Sequence, residues 1–250
     1  MIERASEDLG AMISGDHNAQ VHRGSLCYRL RMRILFIDVA SGSGLIALCT
    51  QDAVVALKKV DRRIRDDELV RCFEKMLKKA KWKPETLTHI TCVIGPGGFT
   101  SLRVGVAFGN ALSWSLKIPI SGIHLSDLYT ARVILSSVEG CHGSTSLRQG
   151  FARQEGLTMT RSFLWLHSTK KHELFVRGFG SYQKKWPQPI HVRLDEIPDN
   201  ICWVGELLPE HIQKGWHNLS LGDIQDVLPG LLLHQHYTNK KVVSWYGREG

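Results

Sequence analysis

The chain has 250 residues, 43% of them hydrophobic, and a formal net charge of +8. That length can bury the core of one large domain or two small ones. The longest apolar runs, such as 34–37, break after a few residues, whereas a membrane-crossing helix needs roughly 18 to 20 in succession, so a helical membrane protein is excluded and no membrane partner is expected. The six cysteines are scattered without a C-x-x-C pair, and free thiols buried in a reducing cytoplasm are the expectation.

Residues 1–31 contain neither the apolar core of a secretory signal nor a helical stripe. They read as a disordered N-terminal extension, and the folded part opens at Met32. Residues 33–40 form an apolar run containing Asp38, followed by Ser41-Gly42-Ser43-Gly44 and by further runs at 45–50 and 54–60. This predicts three strands of an antiparallel meander with a tight first turn. Over 66–81, Leu69, Phe73, Met76, Leu77 and Ala80 recur at spacings of three and four among lysines and arginines, the pattern of an amphipathic helix. Asp66 and Asp67 are expected to cap it, and Pro84 blocks its continuation. The window 58–83 holds eleven Lys and Arg against five Asp and Glu. That excess suits either a solvated helix face or a surface that meets RNA or an acidic partner.

A buried-type strand at 89–94 leads into Gly95-Pro96-Gly97-Gly98 and then into a helix that starts near Thr100, whose hydroxyl can cap it, and ends before Pro119. Gly105 and Gly109 lie four apart on that helix. Glycine costs a helix about 1 kcal/mol relative to alanine, so the pair points to a close approach by another backbone. A strand at 118–123 and a helix at 126–135 complete an α/β pattern. Residues 136–160 lack periodicity and read as a connection or mobile loop between an N-terminal lobe, 32–135, and a C-terminal lobe, 161–250. In the latter, strands are expected at 162–166, 173–179 and 201–205, with a helix at 223–236 broken near Pro229-Gly230. No internal sequence repeat is apparent.

Two motifs could carry chemistry. The loop at 95–98 follows a strand and opens a helix, so it can hold an anion or a phosphate at the helix start, or it can be a tight corner with no ligand. It is neither a P-loop, since no Gly-Lys-Ser/Thr follows, nor a dinucleotide fingerprint, since Thr100 takes the place of the third glycine. Asp38 and Ser41, a strand-end acid with a polar turn, are arranged as sugar kinases and actin-like ATPases approach phosphate and metal, and are also common turn chemistry. Asp38, Ser41, Gly95, Gly97, Gly98 and Thr100 together form the candidate nucleotide or anion site. The twelve histidines include no H-x-x-x-H pair, and no Gly-x-Ser-x-Gly elbow occurs, so neither a metal site nor catalytic residues are expected.

Residues 32–44, the helix around 68–80, the segment 95–105 and Ile118-Pro119-Ile120-Ser121-Gly122-Ile123 resemble the TsaB (YeaZ-like) family in order and spacing, over about the first hundred residues after Met32. Trp245-Tyr246-Gly247-Arg248-Glu249 resembles that family's Tyr-Leu-Arg ending, with Gly247 replacing the leucine. The first helix opens with Asp66-Asp67-Glu68 where the family has His-Ser-Glu. The segment 168–175 keeps Glu173 but lacks the family's Asp-Ala-Arg.

The resemblance implies an actin-like, ribonuclease-H-like α/β fold of two lobes, the second divergent, with a vestigial nucleotide site. It implies a non-catalytic accessory subunit that binds the TsaD paralogue in a complex with a TsaE-type ATPase. That complex forms N6-threonylcarbamoyladenosine at position 37 of tRNAs reading codons that start with A. The family's helical dimerisation surface maps onto Leu69, Phe73, Met76, Leu77, Val104, Phe108 and Ala111, residues that could equally fill this chain's own core. No cofactor of its own is implied, with ATP expected at the complex. tRNA is met indirectly or through the basic segment 58–83, and a homodimer forms in the partner's absence. An actin-fold ATP-dependent phosphotransferase using Asp38 and the 95–98 loop is the alternative.

Overall fold

The computed structural model describes residues 32–60, 64–139, 162–171 and 173–247; the expectations for 1–31 and 140–160 lie outside them. The three early apolar runs form β1 (Ile34–Asp38), β2 (Leu45–Cys49) and β3 (Val54–Lys59). They pair antiparallel in sequence, with Asp38 opposite Leu45 across the first turn. After α1 (Asp66–Ala80), β4 (His89–Gly95) returns parallel to β1, and after α2 (Phe99–Leu116), β5 (Ile120–His124) lies parallel to β4. The sheet order is therefore β3-β2-β1-β4-β5. Every residue of β1 and β2 is buried, as a strand covered on both faces requires.

The second half repeats this plan. Strands β6 (Phe163–Lys170), β7 (Glu173–Phe179) and β8 (Ile190–Val192) form an antiparallel meander, and β9 (Cys202–Glu206) and β10 (His217–Asn218) add in parallel on the other side of β6. Read from β8, the order is β8-β7-β6-β9-β10, the first sheet's order over again. The duplication that the sequence hides is thus plain in the strand topology. The mixed α/β fold is of the actin-like, ribonuclease-H-like kind expected.

Two helices lie between the sheets. These are α3 (Leu125–Glu139), which touches β4, β5, β6 and β9, and α4 (Ile224–Leu233), which packs on α3 and β3. Their buried residues Leu128, Tyr129, Val227 and Leu231 join side chains of both sheets, Phe36 and Trp165 among them, in one core. Helices α1 and α2 cover the far face of the first sheet. Gly105 and Gly109 let α2 settle there: a Cβ on Gly105 would stand 2.4 Å from Val39 Cγ2, and one on Gly109 would stand 2.2 Å from Cys92 Sγ. The close approach expected of this glycine pair is therefore to strand side chains.

Several boundaries move. The residue before α1 is Arg65, whose backbone N–H donates to Glu68 Oε2 at 3.3 Å, so Asp66 and Asp67 lie inside the first turn, where their charge favours the helix dipole. Gly98 precedes α2, so Thr100 lies within the helix and does not cap it. Helix α3 runs beyond residue 135 to Glu139. Helix α4 is not broken: Pro229 sits inside it, within reach of the first turn, where a missing N–H is tolerated. Cys49 and Cys92 are buried free thiols, both pushed up to about 12 by burial.

Candidate functional site

The sequence patterns lead to two places, the outer face of α1 and α2 and the cleft between the lobes. On the first, α1 turns Leu69, Phe73, Met76 and Leu77 inward, each at most 5% exposed. Lysines 75, 78, 79, 81 and 83 face solvent. The four apolar residues that the periodicity singles out are therefore this chain's own core, and the partner face is a different set. Val104 and Phe108 are half-buried and Ala111 is exposed; Phe108 meets Phe73 edge to face at 5.7 Å. Around them stand Val70 at 40%, Phe99 at 56% and Trp114 at 85% exposure, with Ala107 also exposed. A groove of about 590 Å³ runs between the helices, lined by Val70, Phe99, Val104, Ala107, Phe108 and Ala111. Its rim holds Asp66, Thr100 and Arg103, the last with its guanidinium 4.8 Å from the Phe99 ring. Large apolar side chains at this exposure mark a contact surface. Sequence reasoning missed Val70, Phe99 and Trp114. Their signal was phase: Phe99 and Trp114 fall away from the stripe that Gly105 and Gly109 define on α2.

In the cleft, the structure unites Asp38 and Ser41. Asp38 is buried, and its Oδ1 accepts from the backbone N–H groups of Ala40 at 3.0 Å and Ser41 at 3.1 Å, while Oδ2 accepts from Ser41 Oγ at 2.7 Å. Burial pushes this carboxyl above its usual range, the Ser41 and Ala40 hydrogen bonds oppose the shift, and Glu206 adds to it. Its hydrogen-bonding capacity is largely committed to its own turn. The glycine loop packs onto the same turn: a Cβ on Gly97 would lie 2.5 Å from the Ala40 carbonyl oxygen. Gly95 has φ +132, and a Cβ there would lie 2.2 Å from the Trp245 carbonyl oxygen. The loop is a filled corner, and Thr100 belongs to the helical groove.

The second lobe supplies the cleft's other wall. Glu206 at the end of β9 reaches the β1–β2 turn and is within 3.8 Å of His167 Nδ1. Arg177 on β7 donates to Asp127 Oδ1 at 2.6 Å and to Ser126 Oγ at 2.9 Å on α3. Nearby His124 is held below its usual value by burial, against the pull of Asp127. The final segment then leaves the second lobe. Thr238 bridges to Ile120, Val242 exchanges hydrogen bonds with the Asn110 side chain, and Trp245 N–H donates to the Ile94 carbonyl. Trp245 packs against His124, and Tyr246 against Phe99. Among the described residues, no group of three or more His, Cys, Asp and Glu side chains gathers as a metal site, and no helix is long and apolar enough to cross a membrane.

Comparison with known proteins agrees with this geometry. A family model described as TsaD, tRNA N6-adenosine threonylcarbamoyltransferase, matches residues 63–139, which span α1 to α3. The tRNA threonylcarbamoyladenosine biosynthesis protein TsaB of Bacillus subtilis (strain 168) is 34% identical over 95 residues, 37% of this chain and 41% of that protein. Its namesake in Buchnera aphidicola subsp. Schizaphis graminum (strain Sg) is 30% identical over 90 residues, 36% of this chain and 43% of that protein. The matched stretch thus spans about two-fifths of these relatives' length. Among solved structures, a Pseudomonas aeruginosa protein described as similar to peptidase YEAZ covers 87% of this chain and all of its own, with a TM-score of 0.59 at 14% identity. YeaZ from Pseudomonas aeruginosa superposes with a TM-score of 0.56, also at 14% identity. At such identity the structures speak for the fold alone.

Proposed function

Since this chain is a relative of the TsaB/YeaZ proteins, by sequence across its first lobe and by fold across most of its length, we propose that it is a non-catalytic subunit of the machinery that makes threonylcarbamoyladenosine in tRNA. It acts by docking a TsaD-type paralogue on the outer face of α1 and α2. The observation that carries this reading is the exposed apolar face of Val70, Phe99, Ala107, Ala111 and Trp114 beside the groove. The TsaD family model matches these same helices, so a paralogue would present a related helix pair, and two such pairs can interdigitate ridge into groove about a pseudo-twofold axis.

The finer parts of the reading follow from it. Modification falls at position 37 of tRNAs reading codons that start with A. The exposed lysines of α1 lie beside the docking face and suit the phosphate backbone of tRNA near the catalytic partner. A TsaE-type ATPase joins the same complex, ATP acts at the complex and not in this chain alone, and without the paralogue the same face pairs with a second copy. The alternative, an ATP-dependent phosphotransferase working through Asp38, is less well supported because that carboxylate is engaged by its own turn.

The test is co-purification of the full chain with the TsaD paralogue of its own organism, alongside Trp114→Asp and Ala111→Asp. Both substitutions sit on exposed positions, so the folded state should survive within about 0.5 kcal/mol. Affinity should fall at least about a hundredfold for a central contact residue. A native chain that forms no complex, or variants that bind as well as native protein, would refute the docking role.

A further inference from the structure

The β1–β2 turn presents four hydrogen-bond donors to one carboxylate from the opposite lobe. Gly42 N–H donates to Glu206 Oε2 at 2.6 Å. Ser43 N–H and Ser43 Oγ each lie 3.3 Å from Oε1, and Tyr129 Oη donates to Oε1 at 2.8 Å. Two successive backbone N–H groups backed by two hydroxyls make a concave, preorganised set of donors, and such nests bind anions. Charge-assisted hydrogen bonds of this kind are about twice as strong as neutral ones. The charged groups around the nest act in opposite senses: His167, when protonated, favours an anion, and buried Asp38 on the first-lobe side opposes one.

We infer that this turn is a site for a tetrahedral oxyanion of the phosphate class, and that the chain keeps it filled with the carboxylate of its own Glu206. The occupant also ties the lobes, because β9 belongs to the second sheet while the turn and Tyr129 belong to the first half. An external phosphate has to displace a tethered competitor present at high effective concentration. Native protein is accordingly blind to free phosphate at this turn, and the site opens when the carboxylate leaves. This inference is independent of partner docking.

Titration calorimetry of the full chain with inorganic phosphate, at matched ionic strength in chloride, provides the test. Glu206→Ala should bind phosphate at least about tenfold more tightly than native protein, since charged hydrogen bonds are each worth about 1.5–3 kcal/mol. Adding Ser43→Ala to that variant should return about tenfold of the gain by the same measure. Glu206→Gln keeps the side-chain volume and serves if the alanine variant unfolds, its neutral amide being a weaker competitor that gives intermediate phosphate affinity. Folded Glu206→Ala and Glu206→Gln proteins that bind phosphate no better than native, or a Glu206→Ala gain indifferent to Ser43→Ala, would overturn the inference.

Discussion

The two halves of this molecule thread five strands in the same order and then dress them differently. In the first, the crossovers from β3 to β4 and from β4 to β5 are the helices α1 and α2. In the second, the equivalent crossovers shrink to single 3₁₀ turns at Leu194–Glu196 and Pro209–His211. Where α1 and α2 would lie, the second sheet is covered by Trp186, Trp203 and Trp216, which join Leu164, Leu166, Leu174 and Val176 in a core of their own. The exchange leaves a hollow of about 980 Å³ lined by Val192, Ile197, His211 and Trp216 among others. In one corner of it His211 holds Ser168 Oγ at 2.7 Å and the Lys171 carbonyl at 2.6 Å. A sheet topology therefore survives the loss of its outer helices provided large side chains take over the burial, but a paired-helix docking face does not. Only the first half can offer one.

If the tryptophans do the work of helices, Trp186→Ala, at a side chain only 2% exposed, should destabilise the protein by about 3–5 kcal/mol in denaturant unfolding. A cost below about 1 kcal/mol would mean that the second sheet is covered by something else. The first half depends instead on backbone proximity, so Gly109→Ala should cost about 1–3 kcal/mol through overpacking against Cys92, read as a lower denaturation midpoint. An unchanged midpoint would show that α2 can lift off its strands freely.

The smallest effect concerns the cleft between the halves. Burial raises the Asp38 carboxyl above its unfolded value of 3.8, so folding favours its protonated form. That contribution is complete below the unfolded pKa and is lost as pH rises through the folded one. Asp38→Asn should therefore gain on native protein as pH climbs from about 4 towards 7, measured as the difference between their melting temperatures. A difference that shrinks over that range would mean that the buried carboxylate is stabilised when ionised.

Much of the first half was legible because its signals are local. Leu69, Phe73, Met76 and Leu77 repeat at helical spacing, and Gly105 and Gly109 mark a face without side chains. The same periodicity misled about which face meets a partner, since a stripe records burial without saying by what; Phe99 and Trp114 interrupt no pattern and were passed over. Glu206 was beyond reach for another reason: its partners at Gly42 and Ser43 are more than 160 positions away, and no local pattern encodes such a pairing. In the second half the tryptophans have no periodic spacing, so β8, β10 and the short turns carried no signal, and the duplicated strand order could not be seen.

The last described residues carry one more consequence. β5 ends the first sheet, and an open strand edge invites pairing with other chains; Thr238 takes up part of that edge, and Asn110 and Ile94 fasten the residues that follow. The first half is thus completed by chain from the far end of the protein. A fragment stopping at Glu139 would leave its border strand bare, and an affinity tag that strained residues 238–245 would invite aggregation at a point nearly half the chain away from the fusion.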